Sequence, residues 1–264
     1  MADLTENSAS NNGSIANAIA GKYDFSIEAI ISEAWAKTKG SKGTVWLALL
    51  FYLIVFIPVS IGANFLLAKF GITLVPGDPA RKFFIYIACK HLIKILITLP
   101  LAAGLFMVGL KLAMRAPVRA AEVFGYYHKF LPLLGLVALE YLMIMVGLCL
   151  LIIPGIYLAI AYAFAMPLVI EKNLSPWEAM ETSRKAITHH WFKVFGLYFV
   201  VGLILVLSMI PLGIGLIWTL PMLMLSVGVL YRTIFGYEGN VHQVPPDGRR
   251  RNRTPSQTRR SVGR

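Results

Sequence analysis

Two long blocks of this chain leave little choice of solvent. Residues 194–231 run for 38 positions without a charge, and residues 130–170 run for 41 with only Glu140. A soluble domain disperses its apolar residues at helix or strand period, whereas a helix crossing a hydrocarbon layer about 30 Å thick needs roughly 20 apolar residues in succession. Each block is about twice that length and is broken near its centre by turn-forming residues, Pro154-Gly155 in one and Pro211, Gly213 and Gly215 in the other. Each therefore reads as a hairpin of two spans. Composition agrees: 57% hydrophobic and 14% charged residues is far from the roughly 25% charged residues of a water-soluble domain.

Residues 44–68 carry no charge and fit one further crossing. The segment 83–114 is interrupted by Lys90, His91, Lys94 and Lys111, and its uncharged centre, 95–110, becomes a full span when Lys94 and Lys111 snorkel to opposite surfaces. The expected fold is an all-α polytopic bundle of six spans over residues 25–236, preceded by a disordered segment 1–24 and followed by a disordered basic tail 237–264. The first 22 residues contain no apolar core, so the first span is expected to serve as its own insertion signal. Placing the N-terminus inside assigns 20 of the 25 basic residues to the cytoplasm. The outer loops then hold only Lys69, Arg81 and Lys82, which predicts that both termini are cytoplasmic.

A threefold repeat runs through the apolar blocks. A short stretch of helical character precedes each odd-numbered span: Ile27, Ile30, Ile31, Ala34 and Trp35 form one stripe, Ala121, Phe124 and Tyr127 a weaker one, and Trp177, Met180, Ile187 and Trp191 a third. The third opens on Ser175-Pro176-Trp177-Glu178, a capping-box spacing with proline at the first helical position. Each stretch has an early glutamate, Glu28, Glu122 or Glu178, and the following span closes on Ile57-Pro58, Ile153-Pro154 or Ile210-Pro211. The even-numbered spans add Pro100, Pro167 and Pro221, each followed by Leu or Met. The repeating unit reads as cytoplasmic amphipathic helix, span, outer turn and proline-containing span, a pseudo-threefold bundle with interfacial helices at the headgroups.

The run LIIPGIYLAIAYAFAMPLVIEKNLSPWEAMETSRKAITHHWFKVFGLYFV, with FSIEAIISEAW ahead of the first span, resembles a family of bacterial six-span membrane proteins of unknown function. That family is similar to the membrane domain fused to some glycerophosphodiester phosphodiesterases. The resemblance covers roughly residues 25–236 and implies a multi-pass bacterial inner-membrane protein in envelope or lipid homeostasis. It implies no phosphodiesterase activity, since no counterpart of the soluble catalytic domain is present.

An ionisable side chain inside a span marks a functional candidate by default. Glu140 and Lys94 are expected at mid-depth on neighbouring spans, where they would form an ion pair; Lys94 would otherwise snorkel, or join Lys90 and His91 in a relay. His189-His190 beside Trp191 reads as an interfacial belt rather than a metal site, because adjacent helical residues point about 100° apart. Ser183 and Ser208 have no base partner in sequence, and no glycine-rich phosphate loop or HExxH motif occurs. The expectation is therefore a non-enzymatic protein without cofactor or metal. Cys89 and Cys149 are expected as inert buried thiols, with a single bridge as the alternative. In the tail, Arg249, Arg250, Arg251, Arg253, Arg259 and Arg260 are expected to contact anionic headgroups at the cytoplasmic surface. No aromatic residues interleave them, so no specific nucleic acid partner is expected. The competing expectation is a small-solute or ion transporter or channel, with Glu140, Lys90 and Lys94 lining its path.

Overall fold

The computed structural model describes residues 13–74 and 79–237. Residues 1–12, 75–78 and 238–264 lie outside the described residues, and with them the expected headgroup contacts of Arg249, Arg250, Arg251, Arg253, Arg259 and Arg260. Every regular element among the described residues is helical. In chain order they are α1 (Ile15–Ile19), α2 (Ile27–Lys69), α3 (Ala80–Ala113), a 3-10 helix (Ala120–Lys129), α4 (Phe130–Leu150), α5 (Ile152–Ala161), α6 (Ala165–Glu171), α7 (Pro176–His189), α8 (Trp191–Met209) and α9 (Leu216–Phe235). Six stretches are long and apolar enough to cross a membrane: α2, α3, the 3-10 helix with α4, α5 with α6, α8, and α9. The chain is a multi-pass integral membrane protein with an all-α fold.

The spans alternate between outside and inside. In their most apolar windows, 50, 44 and 56% of residues are buried in the second, fourth and sixth spans, against 11, 17 and 17% in the first, third and fifth. The three even-span prolines, Pro100, Pro167 and Pro221, are all buried. So are the residues after them, Leu101, Leu168 and Met222. A proline in a span frees backbone groups that neighbouring protein can cover, and these three positions sit in the middle of the bundle, whereas Pro58 inside α2 is exposed. The outer spans turn large apolar side chains outward, among them Ile54 and Phe65 on α2, Leu142 on α4 and Phe199 on α8.

The leading stretches of the three units differ in form. The first is not separate: α2 is one helix of 43 residues, about 64 Å long. Ile30, Ala34, Thr38, Ser41, Val45 and Ala48 are buried at helical spacing straight through the expected junction, where α2 packs on α3 and α9, so nothing breaks the helix there. Trp35, expected on that stripe, is exposed. Ile57-Pro58 does not close the span either; Pro58 lies inside α2, which continues to Lys69. The second stretch is a 3-10 helix, whose three-residue period buries Ala120 and Val123 and leaves Phe124 and Tyr127, from the expected stripe, exposed. The third, α7, starts as the sequence predicts. Ser175 Oγ accepts from the Glu178 N–H at 3.4 Å, and Glu178 Oε2 accepts from the Ser175 N–H at 3.1 Å. Its buried face is Ala179, Met180, Ser183, Ala186 and Ile187, with Trp177 turned outward.

One hairpin turn is displaced from its expected place, whereas the other, between Met209 and Leu216, holds Pro211, Gly213 and Gly215 as expected. Between α4 and α5 the turn is at Leu151, which is extended (φ −162°, ψ 149°), while Pro154 and Gly155 lie within the first turns of α5. Proline is tolerated there because the first N–H groups of a helix have no intrahelical partner. Gly155 instead serves close packing: a Cβ at Gly147 would lie 3.1 Å from the Gly155 Cα. The turn between α8 and α9 has Leu212 (φ 53°) and Gly213 (φ 78°) in the left-handed region.

Residues 13–24, expected within a disordered segment, are instead a packed strap. Ser14 Oγ caps α1 by accepting from Asn17 N–H at 3.2 Å, Ala18 is fully buried, and Tyr23 Oη donates to the Ala186 carbonyl at 2.8 Å. The apolar run of α1 is too short to register as hydropathy, yet it packs on α7 and α9. A Cβ at Gly13 would lie 2.6 Å from Gly236 N, so the two ends of the described chain meet at one end of the bundle.

Candidate functional site

Charge is concentrated at that same end. Glu33 bridges Lys37 at 2.6 Å and Arg232 at 2.8 Å, which ties α2 to the last turn of α9. Lys111 at the end of α3 meets Glu122 of the 3-10 helix at 2.5 Å, and Glu122 also accepts from the Arg119 N–H at 2.9 Å. Tyr231 Oη donates to Glu171 at 2.6 Å, so the ends of α6 and α9 are joined as well. Glu122 and Glu178 recur because both are third residues of their helices and cap them; Glu28 is the second residue of α2 and exposed.

The intramembrane cluster expected from the sequence does not assemble. Tyr86 Oη donates to Asn64 at 2.9 Å, and Lys37 donates to the Ala113 carbonyl, which sets α2 and α3 antiparallel. In that register the Lys94 ammonium lies over the Phe56 ring of α2, 5.5 Å from its centroid, and Lys90 lies over Tyr86 of its own helix at 5.7 Å. His91 Nε2 is 3.0 Å from Tyr141 Oη on α4. No ion pair joins Glu140 to Lys94 or Lys90 among the described residues. The reason is angular: Ile95 and Leu99 form the face of α3 that meets Glu140, and Lys94 is about 100° round the helix from Ile95. Both cysteines are free; Cys149 is exposed, against the expectation of burial.

Ser183 and Ser208 are occupied by backbone. Ser183 Oγ donates to the Ala161 carbonyl at 2.7 Å and accepts from the Phe164 N–H at 3.3 Å, so it bridges the break between α5 and α6. Ser208 Oγ donates to the Ile204 carbonyl at 2.7 Å.

A concavity lies where α5, the end of α7 and the first turn of α8 meet. It is a groove of about 630 Å³ with apolar walls from Ile153, Ile156, Trp191, Phe192 and Phe195. Thr188, His189, His190 and Lys193 supply its polar rim. No protein-family profile, curated protein or solved structure matches this chain. The groove is held in shape from three sides. Trp191 Nε1 donates to the Tyr157 carbonyl at 3.2 Å, and its ring stacks on Phe195 with centroids 5.2 Å apart. Tyr157 Oη and Thr188 Oγ1 are hydrogen-bonded at 2.5 Å, and the His190 ring meets the Tyr23 ring edge-on at 4.8 Å. His189 Nε2 is 3.0 Å from the Ile19 carbonyl, and Gly21 (φ 69°) packs against the His189 ring, where a Cβ would come within 2.8 Å.

Lys193 at the rim pairs with Asp24 at 2.5 Å. That hydrogen bond and the Phe25 N–H hold the Asp24 carboxyl below its ordinary range. On α7, Arg184 grips Glu181 through two hydrogen bonds, at 2.8 and 2.9 Å, and holds its carboxyl low in the same way. The sequence singled out His189-His190 beside Trp191, and both histidines line the groove; Tyr157, Phe192 and Phe195 were not singled out. Their one signal was aromatic spacing, Trp191, Phe192 and Phe195 directly after the histidines, which read as ordinary span composition.

Proposed function

We propose that this is a non-enzymatic, multi-pass protein of the bacterial inner membrane, with both termini cytoplasmic, that binds anionic phospholipid and serves envelope or lipid homeostasis. The observation that carries the reading is the groove between α5 and α8. Its walls continue into the lipid-facing surface at Ile153 and Phe192, exposed to 79 and 83%, so an acyl chain can enter from the side. Its rim presents the Lys193 ammonium, which keeps donors beyond its bond to Asp24, and the His190 imidazole, which is chemistry that suits a phosphate headgroup. The exposed Asp24–Lys193 pair is weak in water, and an ammonium with three donors can share a phosphate with it or exchange one for the other.

The bias of basic residues supports N-in, C-in insertion, and the meeting of Gly13 with Gly236 supports a common side for both ends. Both serines raised as nucleophiles spend their hydroxyls on backbone carbonyls, which supports a non-enzymatic role. The cluster that favoured transport is not assembled, since Lys94 turns toward α2 and Lys90 toward its own helix rather than toward Glu140, which supports the lipid-binding reading over it.

The test is lipid retention by the purified protein in nanodiscs or detergent, read by native mass spectrometry with phosphatidylglycerol and phosphatidylcholine as probes. Preference for the anionic lipid is expected, with a roughly fivefold loss on Lys193→Gln and a comparable loss on Ile156→Trp, which fills the groove. Equal retention of both lipids by the native chain and both variants would contradict the proposal.

A further inference from the structure

A second concavity, about 400 Å³, opens between α3 and α4 and is lined by Ile95, Leu99, Val137, Glu140, Tyr141 and Ile144. Glu140 lies at the midpoint of the 21-residue α4, the only acid within a described transmembrane stretch away from its charged end. We propose that this pocket binds a lipophilic organic cation, an amine or quaternary ammonium bearing apolar groups, with Glu140 as its counter-ion.

The argument runs from what the chain withholds. A carboxylate in apolar surroundings stays ionised only beside a positive partner and otherwise takes up a proton, and no protein cation pairs with it among the described residues: Lys94 and Lys90 of α3 are turned onto the rings of Phe56 and Tyr86, and His91 is engaged with Tyr141. A hydrated metal ion is a poor occupant, since Mg²⁺ and Ca²⁺ demand six or more oxygens and the lining offers one carboxylate and one phenol. Four aliphatic walls suit a cation that carries its own apolar surface. Tyr141 adds an aromatic face to which such a cation is attracted. The volume lies at the small end of the range for small-molecule sites, so the occupant is compact rather than a whole lipid.

Equilibrium binding of benzyltrimethylammonium to the purified full chain in nanodiscs tests this, with the neutral isostere neopentylbenzene as the comparison. Saturable binding of the cation is expected, tighter than that of the neutral compound by roughly tenfold or more and weakened to the same degree by Glu140→Gln. Lys94→Gln should leave it unchanged. Ile144→Trp keeps the charge, fills the cavity and should abolish binding, so the proposal is still decided if the glutamine variant fails to fold. Equal affinity for cation and isostere, or full binding by a folded Glu140→Gln or Ile144→Trp protein, would overturn it.

Discussion

Ser183 and Gly104 show how single residues hold helices together in a protein whose apolar surface gives no hydrophobic drive between spans. Ser183 satisfies both a carbonyl and an N–H freed by the break at residues 162–164. Ser183→Ala leaves both groups buried without a partner, and should cost about 1–3 kcal/mol. Gly104 lets the 3-10 helix rest directly on α3: a Cβ there would lie 2.1 Å from the Val123 carbonyl oxygen, which is backbone and cannot yield. Gly104→Ala should therefore destabilise by about 1–3 kcal/mol, whereas Gly202→Ala, with nothing within 4 Å, should be neutral or slightly stabilising. Thermal unfolding in one detergent checks all three; equal midpoints for Gly104→Ala and Gly202→Ala would contradict the packing account. Neither role was readable beforehand, because Ser183 acts 22 residues from Ala161 and Gly104 meets an element whose 3-10 form the sequence does not announce.

Elements were most legible where their ends carry their own chemistry. The Ser175-Pro176 start of α7 formed as its spacing predicts, since a capping box is local. The first unit was divided because the uncharged run begins only at residue 44, while the buried stripe from Ile30 to Ala48 lets one helix pass through. The strap before α2 was missed for lack of length. Its attachment at Asp24 has a pH signature. The folded carboxyl is held below the ordinary value of about 3.9, so the tie contributes above that pH and is lost as pH falls through the lower, folded value. A spin label at Lys22 should therefore stay restrained from neutral pH down to about 4 and loosen below it. Asp24→Asn should show the loosened spectrum at neutral pH; identical spectra for the two proteins at pH 7 would remove Asp24–Lys193 as a tie.

At the scale of the molecule, the sequence already contained the number of spans, because span length is set by the lipid solvent. The alternation of outer and inner spans could not be read from hydropathy, since lipid-facing and core-facing residues are equally apolar. The same degeneracy hid the groove and misdirected the Glu140–Lys94 pairing, which depends on rotation about a helix axis rather than on depth. All of this rests on α3 crossing the membrane despite Lys90 and Lys94. Cysteine accessibility in intact cells, on a background lacking Cys89 and Cys149, tests that most directly, with single probes at Lys39, Gly71, Arg119, Asn173 and Leu212. The account predicts that Gly71 and Leu212 label from outside while Lys39, Arg119 and Asn173 label only after the membrane is breached; outside labelling at Arg119 would remove α3 as a span and the six-span arrangement with it.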